Sequence, residues 1–231
     1  ETRQSLLAAY AGRTVQAIQT EYPLISWASA GEIGSVPIGK GKGRKIDLTW
    51  IPRDPEDISA VLKKNISAGG CAAVICNTVG RAQEVYKRLK NDQLVSDDHL
   101  VLFHARFPME RRNEIERYVL SRFGKDGERP SKAIVVATQV IEQSLDLDFD
   151  VMISDLAPVD LLIQRAGRLH RHQKIERPTL LEQPQMILTK PELIQGNPEF
   201  GVEGYIYYPY ILLRSYLSLR EKKRFALPEE T

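Results

Sequence analysis

With 231 residues, the chain is the size of one large domain, or of one domain with appendages. Its 42% apolar and 27% charged composition is ordinary for a globular fold and excludes a disordered, collagen-like or low-complexity protein. A net charge of +2, from 32 basic and 30 acidic side chains, gives no global reason to expect nucleic acid, although a local stripe can hide in such an average. Two cysteines, Cys71 and Cys76, argue against a disulfide framework and fit a reducing, cytoplasmic setting. No apolar run reaches the ~18 residues of a membrane span. The opening Glu1-Thr2-Arg3-Gln4 has neither a methionine nor a signal-peptide pattern, so a piece of a longer polypeptide is expected.

Taken in chain order, residues 3–21 read as a helix interrupted near Gly12 and stopped before Pro23. Residues 24–29 read as a strand, 31–45 as a Gly- and Lys-rich loop or hairpin tip, and 46–51 as a second strand. Asp54 and Pro55 open a helix, as N-cap and first-turn residue. Short apolar runs then follow at 72–76, 99–103, 133–137, 151–154 and 186–188. Helical patterns lie between them at 81–90, 109–123 and about 159–170. Near-continuous apolar strands alternating with helices predict an α/β fold, a parallel sheet with helices on both faces. Ligands of such sheets bind beyond the carboxyl ends of the strands. Residues 205–224 predict a last helix that leads out of the domain, its basic end suiting the helix dipole.

Gly34-Ser35-Val36-Pro37-Ile38-Gly39-Lys40 matches the first seven positions of a phosphate-binding loop. The eighth is Gly41 where a magnesium-holding Ser or Thr is needed, and Lys42-Gly43-Arg44-Lys45 is a poor helix start. A basic turn is the better reading. No acidic magnesium motif ends a strand, so the chain alone is expected not to hydrolyse ATP.

The strongest signal lies between residues 135 and 172. Gln164-Arg165-Ala166-Gly167-Arg168-Leu169-His170-Arg171 spaces three arginines by three, which on a helix places them on one face. By themselves these fit a solvated basic face. Guanidinium groups also pair bidentately with phosphate oxygens. The string resembles the sixth motif of superfamily-two helicases, and Val136-Ala137-Thr138 through Asp150 resembles their fifth. With the upstream Leu102-Phe103-His104-Ala105-Arg106, the whole is similar to the CRISPR-associated helicase–nuclease of type I interference, over its second RecA-like lobe.

The resemblance implies an ATP-dependent single-stranded-DNA translocase of antiviral defence. ATP with magnesium is then shared with a first lobe, and a nuclease domain with its own divalent metal lies elsewhere. It further implies Arg168 and Arg171 as arginine fingers, and Gln164 as the residue that contacts the γ-phosphate or orients the attacking water. Arg165 supports the motif through a salt bridge, and Gly167 and Asp146 belong to the nucleotide pocket. An Asx turn is the alternative for Asp146. Asn77, Thr78, Arg106 and Thr138, each just beyond a strand, would hold a DNA backbone through exposed amides and hydroxyls. Thr78 is equally an N-cap, worth about 1 kcal/mol. The implied partners are single-stranded DNA, the CRISPR surveillance complex and the first helicase lobe. The implied division is a connector with leading strand over 1–50, the lobe over 51–204 and an exit helix over 205–231. All four histidines read as hydrogen-bonding residues, and no metal site is expected in this chain. The competing readings are a lobe of another superfamily-two DNA or RNA helicase, and a non-enzymatic nucleic-acid-docking module.

Overall fold

The computed structural model describes residues 2–14, 24–29, 32–37, 43–142, 145–172 and 175–227. It divides into two compact units, residues 1–43 and 44–231. In the first, helix α1 (Thr2–Ala11) ends at Gly12, whose φ of 67° stops the helix as only glycine does cheaply. Residues 15–21 of the expected helix lie outside the described residues. Strands β1 (Leu24–Ser29) and β2 (Glu32–Pro37) pair antiparallel. Residues 32–37 are thus a strand where a loop was expected. Gly34 sits opposite Trp27, and a Cβ there would fall 2.0 Å from the indole ring, so the glycine serves the hairpin. Residues 38–42 of the phosphate-loop look-alike lie outside the described residues.

The second unit holds the main sheet. Its elements in order are β3 (Arg44–Ile51), α2 (Pro55–Asn65), β4 (Gly70–Ile75), α3 (Val79–Asn91), β5 (Leu100–Phe103), α4 (Met109–Phe123), β6 (Lys132–Ala137), β7 (Val151–Ser154) and α5 (Val159–Ala166). Strand β8 (Gln185–Thr189), the small hairpin of β9 (Glu192–Ile194) and β10 (Asn197–Glu199), α6 (Pro209–Leu219) and β11 (Arg224–Leu227) complete it. The strand order is β11-β3-β8-β7-β4-β6-β5, parallel throughout except for β11.

Alternation along each strand builds two cores. Cys71, Ala73 and Ile75 of β4 face α4, α5 and α6, through Ile115, Val119, Phe123, Leu162 and Leu212. Ala72, Val74 and Cys76 face α2 and α3, through Ile58, Leu62, Ala82, Val85 and Leu89. The expected parallel sheet with helices on both faces is therefore present. Each fully buried Val, Ile or Leu contributes about 1.5–3 kcal/mol, which is why β4, buried along its length, reads as an unbroken apolar run. Asp54 is the N-cap of α2 but its side chain makes no capping bond.

The C-terminal segment corrects its expectation. A 3-10 turn at Gly201–Tyr205 precedes α6, which is shorter than predicted. The chain then turns back, and β11 pairs antiparallel with β3 at the sheet edge. Four backbone-paired residues at the edge outweigh any signal from the basic run of residues 220–224, so the segment does not leave the fold at the helix.

Candidate functional site

The register explains which residues meet. Phe103, Ala137, Ile75, Ser154 and Leu188 lie in one row across five parallel strands. The residues that follow, namely His104 to Arg106, Thr138, Asn77, Asp155 and Thr189, therefore emerge along one carboxyl edge. Helix α5, which follows β7, starts from that edge too.

Helix α5 ends a turn earlier than its sequence suggests. Gly167 is the C-cap, and the backbone then opens so that Leu169 bridges Phe149, with Phe149 N–H donating to Arg168 O (2.9 Å) and His170 N–H to Phe149 O (3.0 Å). Burying Leu169 and Phe149 against each other replaces the last helical turn. The expected single helical face of three arginines is therefore not formed. Arg165 is wholly buried, Arg168 nearly so, and Arg171 has a side chain 46% exposed. Gln164 is exposed on α5.

Arg165 lies in an anionic cage. Its Nε donates to Glu142 Oε1 (2.7 Å), and its Nη1 donates to Ser154 Oγ (2.7 Å) and Asp155 O (3.1 Å). Arg168 donates through Nη1 to Gln164 O (2.8 Å) and through Nη2 to Glu142 O (2.7 Å), while its buried Nε has no partner. Burial, aided by the Arg171 charge, lowers the Arg168 pKa. A side-chain carbon at Gly167 would lie 3.2 Å from Gln164 O, so the glycine leaves that carbonyl clear for Arg168. Arg171 pairs with Asp146 Oδ1 (2.5 Å), which His172 Nε2 also approaches (3.2 Å). Burial pushes the Asp146 carboxyl up, but its bonds to His172 and Arg171 hold it below the usual range.

A buried charge cluster supports this strip, and the sequence reading passed over it. In Leu145–Asp150 the apolar Leu147 and Phe149 enter the core, while Asp148 and Asp150 turn the other way and are also buried. Arg129 reaches both carboxylates at 2.9 Å, and Arg177 reaches Asp148 (2.9 Å) and Asp150. Asp150 also accepts from Cys71 N–H (2.6 Å), and Asp148 from His172 N–H (2.9 Å). The strict apolar–acidic alternation of residues 145–150 was the available signal. Burial, chiefly, pushes the Cys71 thiol up to about 12, so it is inert as a nucleophile.

At the carboxyl edge, Asn77 does not present a free amide. Its N–H donates to Asp155 Oδ2 (3.0 Å), its Nδ2 to Leu156 O (2.7 Å), and its carbonyl accepts from Gln139 Nε2 (2.9 Å). The expectation of an exposed amide at Asn77 is corrected by this burial. Thr78 is half-buried and caps α3, its Oγ1 accepting from Arg81 N–H (3.2 Å). Thr138 is buried and its N–H donates to Phe103 O (3.1 Å), whereas Arg106 is exposed. Glu203 lies buried beside this group, paired with Arg53 (2.8 Å). Burial and then the neighbouring Asp155 raise its pKa to about 7. The His104 ring stacks on Phe107 (4.1 Å between centroids).

Among the described residues no three His, Cys, Asp or Glu side chains gather as metal ligands, and no helix is long and apolar enough to cross a membrane. The exposed donors present suit an anion: a guanidinium at Arg171 and an amide at Gln164.

A family profile described as "CRISPR-associated nuclease/helicase Cas3, C-terminal" matches residues 68–174. The chain is 38% identical over 213 residues to the CRISPR-associated nuclease/helicase Cas3 of Streptococcus thermophilus, covering 90% of this chain and 22% of that protein. The crystal structure of T. fusca Cas3 with AMPPNP superposes with a TM-score of 0.79 at 35% identity, covering 99% of this chain and 29% of that one. A chain of a pre-nicking CRISPR RNA-guided surveillance complex superposes at 0.73 with 34% identity, covering 98% and 30%. The chain thus spans less than a third of the relatives it matches, and its sheet is the RecA-like α/β fold of a helicase lobe.

Proposed function

Because the chain belongs to the CRISPR-associated nuclease/helicase family, over its helicase region, we propose that it is the second motor lobe of an ATP-dependent, single-stranded-DNA-translocating helicase of CRISPR defence. The observation that carries this reading is the Gln164–Arg171 strip, which runs from Arg165 beside the carboxyl end of β7 to Arg171 past the Phe149 bridge on the amino side of that strand, together with the Thr78, Thr138 and Arg106 positions beyond the strand ends. A lobe arranged so can hold a nucleotide against the arginine strip and a nucleic-acid backbone at the carboxyl edge of the sheet.

In this reading Arg171 and Arg168 are the arginine fingers that neutralise charge on the transferring phosphoryl group. Arg171 is ready for exchange, since its pair with Asp146 is solvent-exposed on both sides and such pairs contribute only about 0–1 kcal/mol. Arg168 gives up two carbonyl acceptors for phosphate oxygens, a gain because bonds between charged partners are about twice as strong as neutral ones. Gln164 contacts the γ-phosphate or orients the attacking water, and Asp146 reaches the ribose or steadies Arg171. Gly167 keeps the backbone between them compact, and Arg165, bound to Glu142, supports the motif from inside. Magnesium and the phosphate loop come from the first lobe, and the nuclease with its metal from another domain. The proposed setting is the cytoplasm, with single-stranded DNA and the surveillance complex as partners. The proposed division remains connector and leading strand over 1–50, lobe over 51–204 and C-terminal segment over 205–231.

The test is Arg168→Ala in the full-length protein. DNA-stimulated ATP hydrolysis should be abolished with single-stranded-DNA binding nearly intact. Unchanged turnover would overturn the finger assignment. The isolated chain should hydrolyse no ATP, and turnover by clean protein would return attention to the loop at Gly34.

A further inference from the structure

The amino end of α3 at the carboxyl edge and the arginine helix α5 are joined through one residue, Asp155. Its carboxylate, buried at the end of β7, accepts from Asn77 N–H (3.0 Å), from Arg81 Nε (2.9 Å to each oxygen) and from Thr189 Oγ1 (2.9 Å). Its carbonyl accepts from Arg165 Nη1 (3.1 Å) and Ser154 Oγ (2.8 Å). The side chain thus grips the amino end of α3, where Asn77 and Thr78 lie, while the backbone grips the arginine helix α5. A second path closes a ring. Gln139 Nε2 holds Asn77 O, and the turn it opens ends at Glu142, which holds Arg165 by its carboxylate and Arg168 by its carbonyl. Asn77, Asp155, Arg165, Glu142 and Gln139 therefore form a closed circuit of buried or half-buried groups. Bonds between charged groups in a water-poor interior are strong, and each leaves a costly unpaired group if broken, so the circuit resists distortion.

Resting on the reading proposed above, we infer that Asp155 is a positioning residue of the motor: it fixes the nucleic-acid end of α3 relative to the arginines of α5 and the turn after it. A carboxylate is needed because three donors converge on it, one of them a guanidinium nearly out of water whose Nε lies against both oxygens. Asp155 itself faces neither phosphate nor DNA in this role; it acts through Asn77 and Arg165.

The experiment uses the full-length protein and oligothymidine as the single strand. The readout is the stimulation factor, turnover with saturating DNA divided by turnover without it. A loss of stability alone lowers the amount of folded protein in both measurements and leaves this ratio unmoved. Asp155→Asn should lower the factor by about tenfold, and Ser154→Ala, which removes one acceptor of Arg165, by about threefold. Thr189→Val removes one bond to the same carboxylate but touches neither Asn77 nor Arg165, so it should lower the melting temperature and keep the factor. If Asp155→Asn does not fold, Ser154→Ala against Thr189→Val decides alone. A native stimulation factor in Ser154→Ala, or in folded Asp155→Asn, overturns the inference. Arg168→Ala run alongside separates the two failures: native turnover there means that the finger assignment on which this inference rests has failed, whereas lost turnover with native factors in the other variants removes Asp155 only.

Discussion

Glu142 holds the wholly buried Arg165, with Nε 2.7 Å and Nη2 2.6 Å from the same carboxylate oxygen. Arg165 has no solvent exposure, so nothing replaces Glu142 if the carboxylate is removed. Breaking one side of such a pair costs about 3–5 kcal/mol. Glu142→Ala should destabilise by that order in urea denaturation, with Glu142→Gln, which keeps an acceptor oxygen, losing less. An alanine variant within experimental error of the native protein would show that Arg165 draws its compensation from Ser154 and Asp155 alone.

Arg177, like Arg129, bridges Asp148 and Asp150. Removing it leaves two buried carboxylates sharing one guanidinium. Arg177→Ala should cost about 3–5 kcal/mol, and Arg177→Lys should recover only part because an ammonium cannot bridge both carboxylates as a planar fork does. Thermal denaturation of both variants checks the order.

Glu203 has its pKa raised from 4.5 to about 7, by burial first and then by the charge of Asp155. The native state therefore holds this proton more tightly than the unfolded chain does. Its contribution is fully present below pH 4.5 and is lost as the pH rises through about 7. Glu203→Gln should remove that slope and gain on the native protein as the pH rises through the window. Parallel stability–pH curves for the two would contradict the assignment.

Thr78 caps α3 and also stands at the proposed backbone-phosphate position. Thr78→Ala should cost about 1 kcal/mol of stability, so a loss of DNA binding in that variant is ambiguous. Thr78→Asp separates the roles. Aspartate caps as well as threonine, so stability should hold, while its charge should repel phosphate and weaken single-strand affinity in a filter-binding titration. Native affinity in Thr78→Asp would leave Thr78 as a cap alone.

Much of the architecture was legible in the order of residues. Buried parallel strands are apolar at every position, so β4, β6 and β7 announce themselves, and the Gln164–Arg171 string marks its own region. A strict apolar–acidic alternation at residues 145–150 was equally visible, but its meaning depended on Arg129 and Arg177, loop residues whose positions no local pattern carries. Likewise β2 looked like a loop because its glycine answers to Trp27 across the hairpin, a partner seven residues away.

The sequence by itself determined which strands are buried, where the guanidinium groups cluster along the chain, and the family to which it belongs. Only the tertiary structure decided how three evenly spaced arginines are divided. Local spacing predicted one helical face, but burying Leu169 against Phe149 ended α5 at Gly167, and the three side chains separated into one wholly buried, one nearly buried and one exposed. The physical reason is that helix propensity contributes only tenths of a kcal/mol per residue, whereas burying two large apolar side chains contributes several, about 1.5–3 kcal/mol each.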